Sequence, residues 1–305
     1  LVNLVTRAHQ AGDRVVLTAT DFSQTSLDTL THSPGAGIVL GNSLLELVQT
    51  KGLDGVNLDF EGVGSADQAG LDQIAADVNL ILHVADPHYQ FTMATYASSA
   101  GDPNGFYDIR TLSGYVDAFF VMAYDVSQGT SGQSAENAGG EDGTYVAQYL
   151  SVAPASKVIL GVPLFGYDVP TTGPNLGDAA TGPGSAVTYA QAMSSGSTFW
   201  DPTTQTAWTA YQSGGQWHQV FFDNANTLAL KEQLASASNL LGVGVWALGM
   251  EGNDNSIFPV LDGGSPPLRV PPVGPTTAGS NSVSNGVNAG SGGVSVSYTH
   301  LTLPT

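Results

Sequence analysis

The chain has 305 residues, 42% of them hydrophobic, and no cysteine. That is enough apolar material for a folded core, and it leaves no disulfide or thiolate chemistry. Seven Lys and Arg stand against 26 Asp and Glu, for a formal charge of −19; this excludes the basic footprint that nucleic acid requires and opposes binding to anionic membranes. No apolar run reaches the ~20 residues of a membrane span. The balance suits a protein acting on neutral or basic polymers outside the cell, and one barrel-type α/β domain of ~250 residues would take up most of the length.

In chain order, the sequence opens inside an amphipathic stretch, Leu1 to Gln10, read as a helix. Without an initiating methionine, the start is expected to be a truncation. Arg14 to Thr20 reads as a buried strand. Ser43-Leu44-Leu45-Glu46 has the form of a capping box, predicting a helix from there to Lys51 with Gly52 closing it. Asp54 to Glu61 is the next strand, and apolar spacing predicts a helix from Ala66 to Ala85, stopped by Asp86-Pro87. Gln90 to Thr95 is a strand, Ile109 to Tyr115 a short helix and Ala118 to Ala123 a strand. A polar loop, Ser127 to Gly143, precedes a helix near Tyr145–Val152. A strand over Lys157–Pro163, a helix over Asn226–Ser238 and a last strand over Leu241–Leu248 complete the order.

Strands and helices alternate, which predicts a parallel sheet with crossover helices. Six such units are counted, two short of a closed eight-stranded barrel. The interval 168–223 breaks the alternation. It is expected to be a small α+β insertion with a hairpin at Gly214-Gly215, its aromatics (Trp200, Trp208, Tyr211, Trp217) either walling a groove or packing as the insertion's own core. The domain is expected over 1–262. Residues 263–295, rich in Pro, Gly and Ser, read as a linker or tail. Residues 296–305 read as a sequencing-adapter or vector scar, as in a metagenomic fragment lacking both ends.

The chemistry concentrates in Asp54-Gly55-Val56-Asn57-Leu58-Asp59-Phe60-Glu61. A two-residue period puts Val56, Leu58 and Phe60 on one face and Asn57, Asp59 and Glu61 on the other. Two carboxylates on a covered face push at least one pKa upward through desolvation and mutual repulsion, which keeps an acid protonated for catalysis. The competing reading is an edge strand with its polar face in water. The six histidines show no metal-ligand spacing, so neither metal nor cofactor is expected. No dinucleotide or phosphate loop and no nucleophile elbow is present.

With its neighbours, this stretch resembles the signature of glycoside hydrolase family 18, Asp-Gly-x-Asp-x-Asp-x-Glu. Val121-Met122-Ala123-Tyr124-Asp125, Leu160-Gly161-Val162-Pro163-Leu164-Phe165-Gly166 and Gly244-Val245-Trp246-Ala247-Leu248-Gly249 resemble later segments of that family in the same order. The likeness implies a TIM (β/α)8 barrel without its first two strands. It also implies substrate-assisted, retaining cleavage of β-1,4 bonds in N-acetylglucosamine polymers, chitin or peptidoglycan. Glu61 would be the acid, Asp59 its helper and Tyr124 a hydrogen-bond donor to the acetamido oxygen. Asn57, Asp125, Phe165, Trp246 and Glu251 would line the sugar site, with Asn57 supporting Asp59. Asn57 stands where chitinases usually carry aspartate, which is similar to the spore-cortex and cell-wall branch. The expected protein is a monomer, secreted or cell-wall associated. Its rivals are a non-catalytic chitinase-like carbohydrate-binding protein, which would typically lack the acid, and an inactive fragment.

Overall fold

The structure, a computed structural model, describes residues 1–124, 141–263 and 272–275. They form two compact units: Leu1–Met122 with Tyr145–Ile159, and the described parts of Ala123–Thr144 and Leu160–Tyr298. Asp125, the expected loop as far as residue 140 and the expected scar at 296–305 lie outside the described residues.

The first unit runs α1 (Val2–Ala11), β1 (Val16–Asp21), α2 (Gln24–Thr31), α3 (Ala36–Lys51), β2 (Gly55–Phe60), α4 (Gln68–Ala85), β3 (Gln90–Tyr96), α5 (Ile109–Leu112) and β4 (Ala118–Met122). Next come α6 (Glu141–Leu150) and β5 (Val158–Pro163), both of which continue across the division between the units. Strands β1 to β4 pair in chain order, every pair parallel. Helices between successive parallel strands are the alternation expected from the sequence. Leu58, Phe91, Met93 and Phe119 of the strands are buried, as are Leu71, Ile74, Val78 and Leu82 of α4. This is the apolar layer that binds sheet to helix.

The capping box expected at Ser43 is not a helix start. Helix α3 begins seven residues earlier, at Ala36, and the Ser43 hydroxyl donates back to the Val39 carbonyl at 3.0 Å. Gly37 and Gly41 are what let α3 approach α4. A Cβ on Gly37 would lie 2.9 Å from the Ile74 Cα, and one on Gly41 would lie 2.7 Å from the Ile81 Cδ1. Close helix packing overrides the weak helix propensity of glycine. The C-terminal expectation holds, since Gly52 adopts the left-handed conformation at φ 66°. Helix α5 is shorter than expected, ending at Leu112.

The second unit contains β6 (Phe165–Thr171), β7 (Ser185–Thr188), α7 (Tyr189–Ser194), β8 (Phe199–Asp201), β9 (Thr206–Ser213), β10 (Gln216–Phe222), α8 (Ala225–Ala237), β11 (Gly242–Trp246) and α9 (Phe258–Leu261). Strand β11 neighbours β5, and β6 to β10 form an antiparallel sheet of order β7-β6-β10-β9-β8. The β9–β10 hairpin turns at Gly214 and Gly215, with φ of 58° and 87°. Positive φ at both positions matches the right-handed twist of the flanking strands. Trp208 is fully buried against Phe199 and Phe221, so this tryptophan serves the sheet's own core. The Trp200 backbone N–H donates to the Pro272 carbonyl at 3.0 Å, and a Cβ on Gly274 would lie 3.7 Å from the Trp208 ring.

One ionic cluster is sealed inside this unit. Lys231, 1% exposed, donates to Asp223 Oδ2 at 2.7 Å. Its ammonium stands 3.7 Å from Asp142 Oδ2, an ion pair too long for a hydrogen bond. Burial pushes the Asp142 carboxyl up to about 6 even though the Lys231 charge opposes it.

Candidate active site

Strand β2 sits between β1 and β3 and is buried along its whole length. Asn57 is 1% and Asp59 6% exposed, so the alternative of a polar face in water does not apply. The Asp-Gly pair that opens the motif is structural. Asp54 Oδ2 accepts the Val15 N–H at 2.6 Å and contacts His9 Nε2 at 2.8 Å, tying α1 to the start of the sheet. Gly55 must lack a side chain, because a Cβ there would stand 2.0 Å from the Gln90 carbonyl oxygen.

The register sets the polar face. Asn57 pairs with Thr92, and the Thr92 hydroxyl donates to Asn57 Oδ1 at 2.9 Å. Among the described residues, neither Asn57 Nδ2 nor Asp59 Oδ1 has a hydrogen-bond partner, although both atoms are buried. Asn57 was expected to support Asp59; its described bond goes to Thr92 instead, because that hydroxyl lies directly across the ladder. Burial, reinforced by the Glu61 charge, pushes the Asp59 carboxyl up to about 7. The expected raised carboxyl is therefore Asp59, poised to exchange a proton near neutrality.

Glu61 is the first residue beyond β2, at the carboxyl end where parallel α/β folds place their chemistry. Its N–H donates to the Asp21 carbonyl at 2.9 Å. The chain on both sides is held. Tyr107, fully buried, donates its hydroxyl to the Phe60 carbonyl at 2.7 Å. Gly62 lies under the Phe106 ring, where a Cβ would meet Cε2 at 2.3 Å. The Val63 N–H donates to the side-chain carbonyl of Gln24 at 2.8 Å, and Gln24 in turn donates to Asp67 at the same distance. These contacts fix the backbone around Glu61 before any ligand arrives, as a preorganised site requires.

The structure adds one residue to this face that the sequence reading passed over. Tyr96 ends β3, its ring edge-on to Tyr107 at 5.3 Å. Finding it needs the β2–β3 register, which the sequence of either strand lacks.

In the second unit, Tyr124 and Phe165 meet edge-to-face at 5.7 Å, and Phe165 meets Tyr167 the same way at 6.0 Å. Trp246 closes β11, and its carbonyl accepts the Leu164 N–H at 2.7 Å. Glu251 turns back on its own loop, accepting the Gly249 N–H at 2.7 Å. A separate polar cluster lies on the antiparallel sheet. Tyr211 donates to Asp168 Oδ2, and His218 Nδ1 lies 2.8 Å from the other Asp168 oxygen. Both oxygens are thus engaged, and the Tyr211 and His218 rings stack at 4.9 Å. Among the described residues, no three His, Cys, Asp or Glu side chains are grouped as metal ligands.

Solved structures share the fold. A chitinase from Cycas revoluta, crystallised in complex with (GlcNAc)4, superposes with a TM-score of 0.71 at 19% identity over 85% of this chain and 81% of that one. The chain accordingly has a TIM-barrel-like α/β fold with a parallel sheet. Its sequence matches the family described as Glycosyl hydrolases family 18 over residues 10–251, and it belongs to that family. YdhD of Bacillus subtilis, named as a sporulation-specific glycosylase, is 27% identical over 244 residues, 76% of this chain and 56% of that protein. The cortical fragment-lytic enzyme of the same organism is 25% identical over 214 residues, 68% of this chain and 49% of that protein. The chain thus spans about half the length of these curated relatives.

Proposed function

We propose that this chain hydrolyses β-1,4 linkages beside N-acetylglucosamine with retention at the anomeric carbon, the substrate's own acetamido group acting as nucleophile. The observation that carries the reading is the Asp59–Glu61 pair. One carboxyl is buried, with an oxygen that has no hydrogen-bond partner among the described residues and a pKa pushed up to about 7, and the other stands two residues on, at the strand end. Glu61 donates its proton to the glycosidic oxygen as that bond to C1 breaks. The acetamido carbonyl oxygen forms the new bond to C1, giving an oxazolinium ion, and Asp59 accepts the acetamido N–H and balances its charge. Water then attacks C1, the C1–oxygen bond of the oxazolinium breaks to restore the acetamido group, and the water gives its proton to Glu61. No carboxylate nucleophile is needed, an exception to the two-carboxylate scheme.

We assign the substrate to cell-wall glycan ahead of chitin. Asn57 in the second acidic position of the signature supports this, as do the printed names of the two Bacillus relatives. Action outside the cell follows from such a substrate and agrees with the −19 charge. The antiparallel sheet 165–222 is read as an insertion on a barrel whose first two strands this sequence does not supply.

Glu61→Gln is expected to remove hydrolysis of a chromogenic N-acetylglucosamine oligomer while leaving oligomer binding intact. Unchanged turnover overturns the assignment. Turnover of purified peptidoglycan against chitin oligomers, measured side by side, decides the substrate.

A further inference from the structure

Strand β3 brings a third polar group to the Asp59–Glu61 face. Asn57 pairs with Thr92 and Leu58 with Met93, and the Thr92–Asn57 hydrogen bond shows that these side chains share a face. Counted onward at the two-residue period, Ala94 falls beside Asp59 and Tyr96 beside Glu61. A methyl group next to Asp59 leaves space there, while a phenol next to Glu61 fills it with a ring that ends in a donor.

The surroundings of Tyr96 hold its ring still. Tyr107 packs against it at 5.3 Å and 81°, and the Tyr107 hydroxyl is itself tied to the Phe60 carbonyl, one residue before the acid. The Tyr96 carbonyl accepts the Tyr149 hydroxyl at 2.8 Å, and Tyr149 in turn accepts from the Thr95 hydroxyl at 2.7 Å. Among the described residues, by contrast, the Tyr96 hydroxyl has no hydrogen-bond partner. The side chain is partly exposed. A half-buried tyrosine normally places its O–H on a partner. A braced ring whose hydroxyl has no partner among the described residues, beside a catalytic acid, is the arrangement of a ligand contact.

We propose that Tyr96 is a substrate-contacting residue, its hydroxyl donating to a sugar oxygen beside the bond that Glu61 protonates. This rests on the hydrolase reading of the same site. The phenol keeps its proton throughout, since burial and the two carboxylate charges push its pKa up to about 12. It orients the glycan and exchanges no proton. It also distinguishes ligands, because a glycan with no oxygen in that position would leave the hydroxyl unpaired.

The test is Tyr96→Phe, which deletes one oxygen and keeps the ring against Tyr107. Expected are an unchanged melting temperature and a fall of about tenfold in kcat/KM on an N-acetylglucosamine tetramer. The pH profile should keep its shape. Titration calorimetry in the Glu61→Gln background, where turnover does not interfere, is expected to show the tetramer bound about tenfold more weakly once Tyr96→Phe is added. Equal kcat/KM and equal affinity with and without the hydroxyl would overturn the proposal while leaving the hydrolase reading intact. A displaced pH profile with unchanged affinity would overturn it too, making Tyr96 a positioning residue for Glu61. Failure of the parent protein both to bind and to cleave N-acetylglucosamine oligomers would instead overturn the hydrolase reading, and Tyr96 with it.

Discussion

Asp59→Asn should make the protein more stable and less active, and the size of the gain should depend on pH in a set direction. The folded state raises the Asp59 carboxyl from 3.8 to about 7, chiefly by burial and secondarily through the Glu61 charge. At about 1.4 kcal/mol per pH unit, ionising that group in the fold costs about 4 kcal/mol. Because the folded pKa lies above the unfolded one, stability is fully present below pH 3.8, declines between 3.8 and about 7, and stays low above that. Asparagine cannot ionise and escapes the decline, although its amide leaves a buried donor that costs about 1–2 kcal/mol. The net expectation is a mutant about 2–3 kcal/mol more stable than wild type at about pH 8.5, with the difference shifting by about 3 kcal/mol on going down to about pH 4.5. Urea unfolding followed by far-UV circular dichroism at the two pH values measures this. The loss of the other carboxylates' contributions in acid is common to both proteins and cancels. Turnover is expected to fall at both pH values. A mutant-to-wild-type difference that is the same at both would refute the assignment of a strained, ionisable Asp59.

The sealed ion cluster makes the opposite demand. Lys231→Met strands Asp223 and Asp142 without a cation, and truncating one partner of a buried charge cluster costs about 3–5 kcal/mol. Without the Lys231 charge that opposes it, the Asp142 carboxyl takes up its proton above the wild-type value of about 6, so the loss should shrink as pH falls toward about 6, and a loss independent of pH in chemical denaturation would refute it. Gly62→Ala drives a methyl into the Phe106 ring, which should cost about 1–3 kcal/mol of stability. Because the moved residue adjoins Glu61, kcat on the chromogenic oligomer should fall at least about tenfold at saturating substrate. Wild-type kcat in a folded mutant would show that the Glu61 backbone tolerates displacement.

Sequence by itself determined most of the framework, because periodicity reports burial directly. All six strands expected in the alternation form at their expected places, from β1 to β11. The polar face of β2 was legible because Asn57, Asp59 and Glu61 alternate with Val56, Leu58 and Phe60. The turn at Gly214-Gly215 and the left-handed cap at Gly52 were legible because both need a positive φ that glycine alone accepts freely. Capping signatures were not reliable without context. Ser43-x-x-Glu46 lies mid-helix, while the overlooked Thr188-x-x-Gln191 is a true capping box opening α7. The difference is the surface of α4, on which Gly37 and Gly41 pack and which no local window contains. Tertiary structure alone decided which charges are sealed in. It joined Lys231 to Asp142 and Asp223, and it left Asp59 Oδ1 unpartnered among the described residues. It also brought Tyr96 within reach of the Glu61 charge. Each of these depends on a register or a packing partner tens of residues away, so the local pattern around a residue says what it can be but not what it meets.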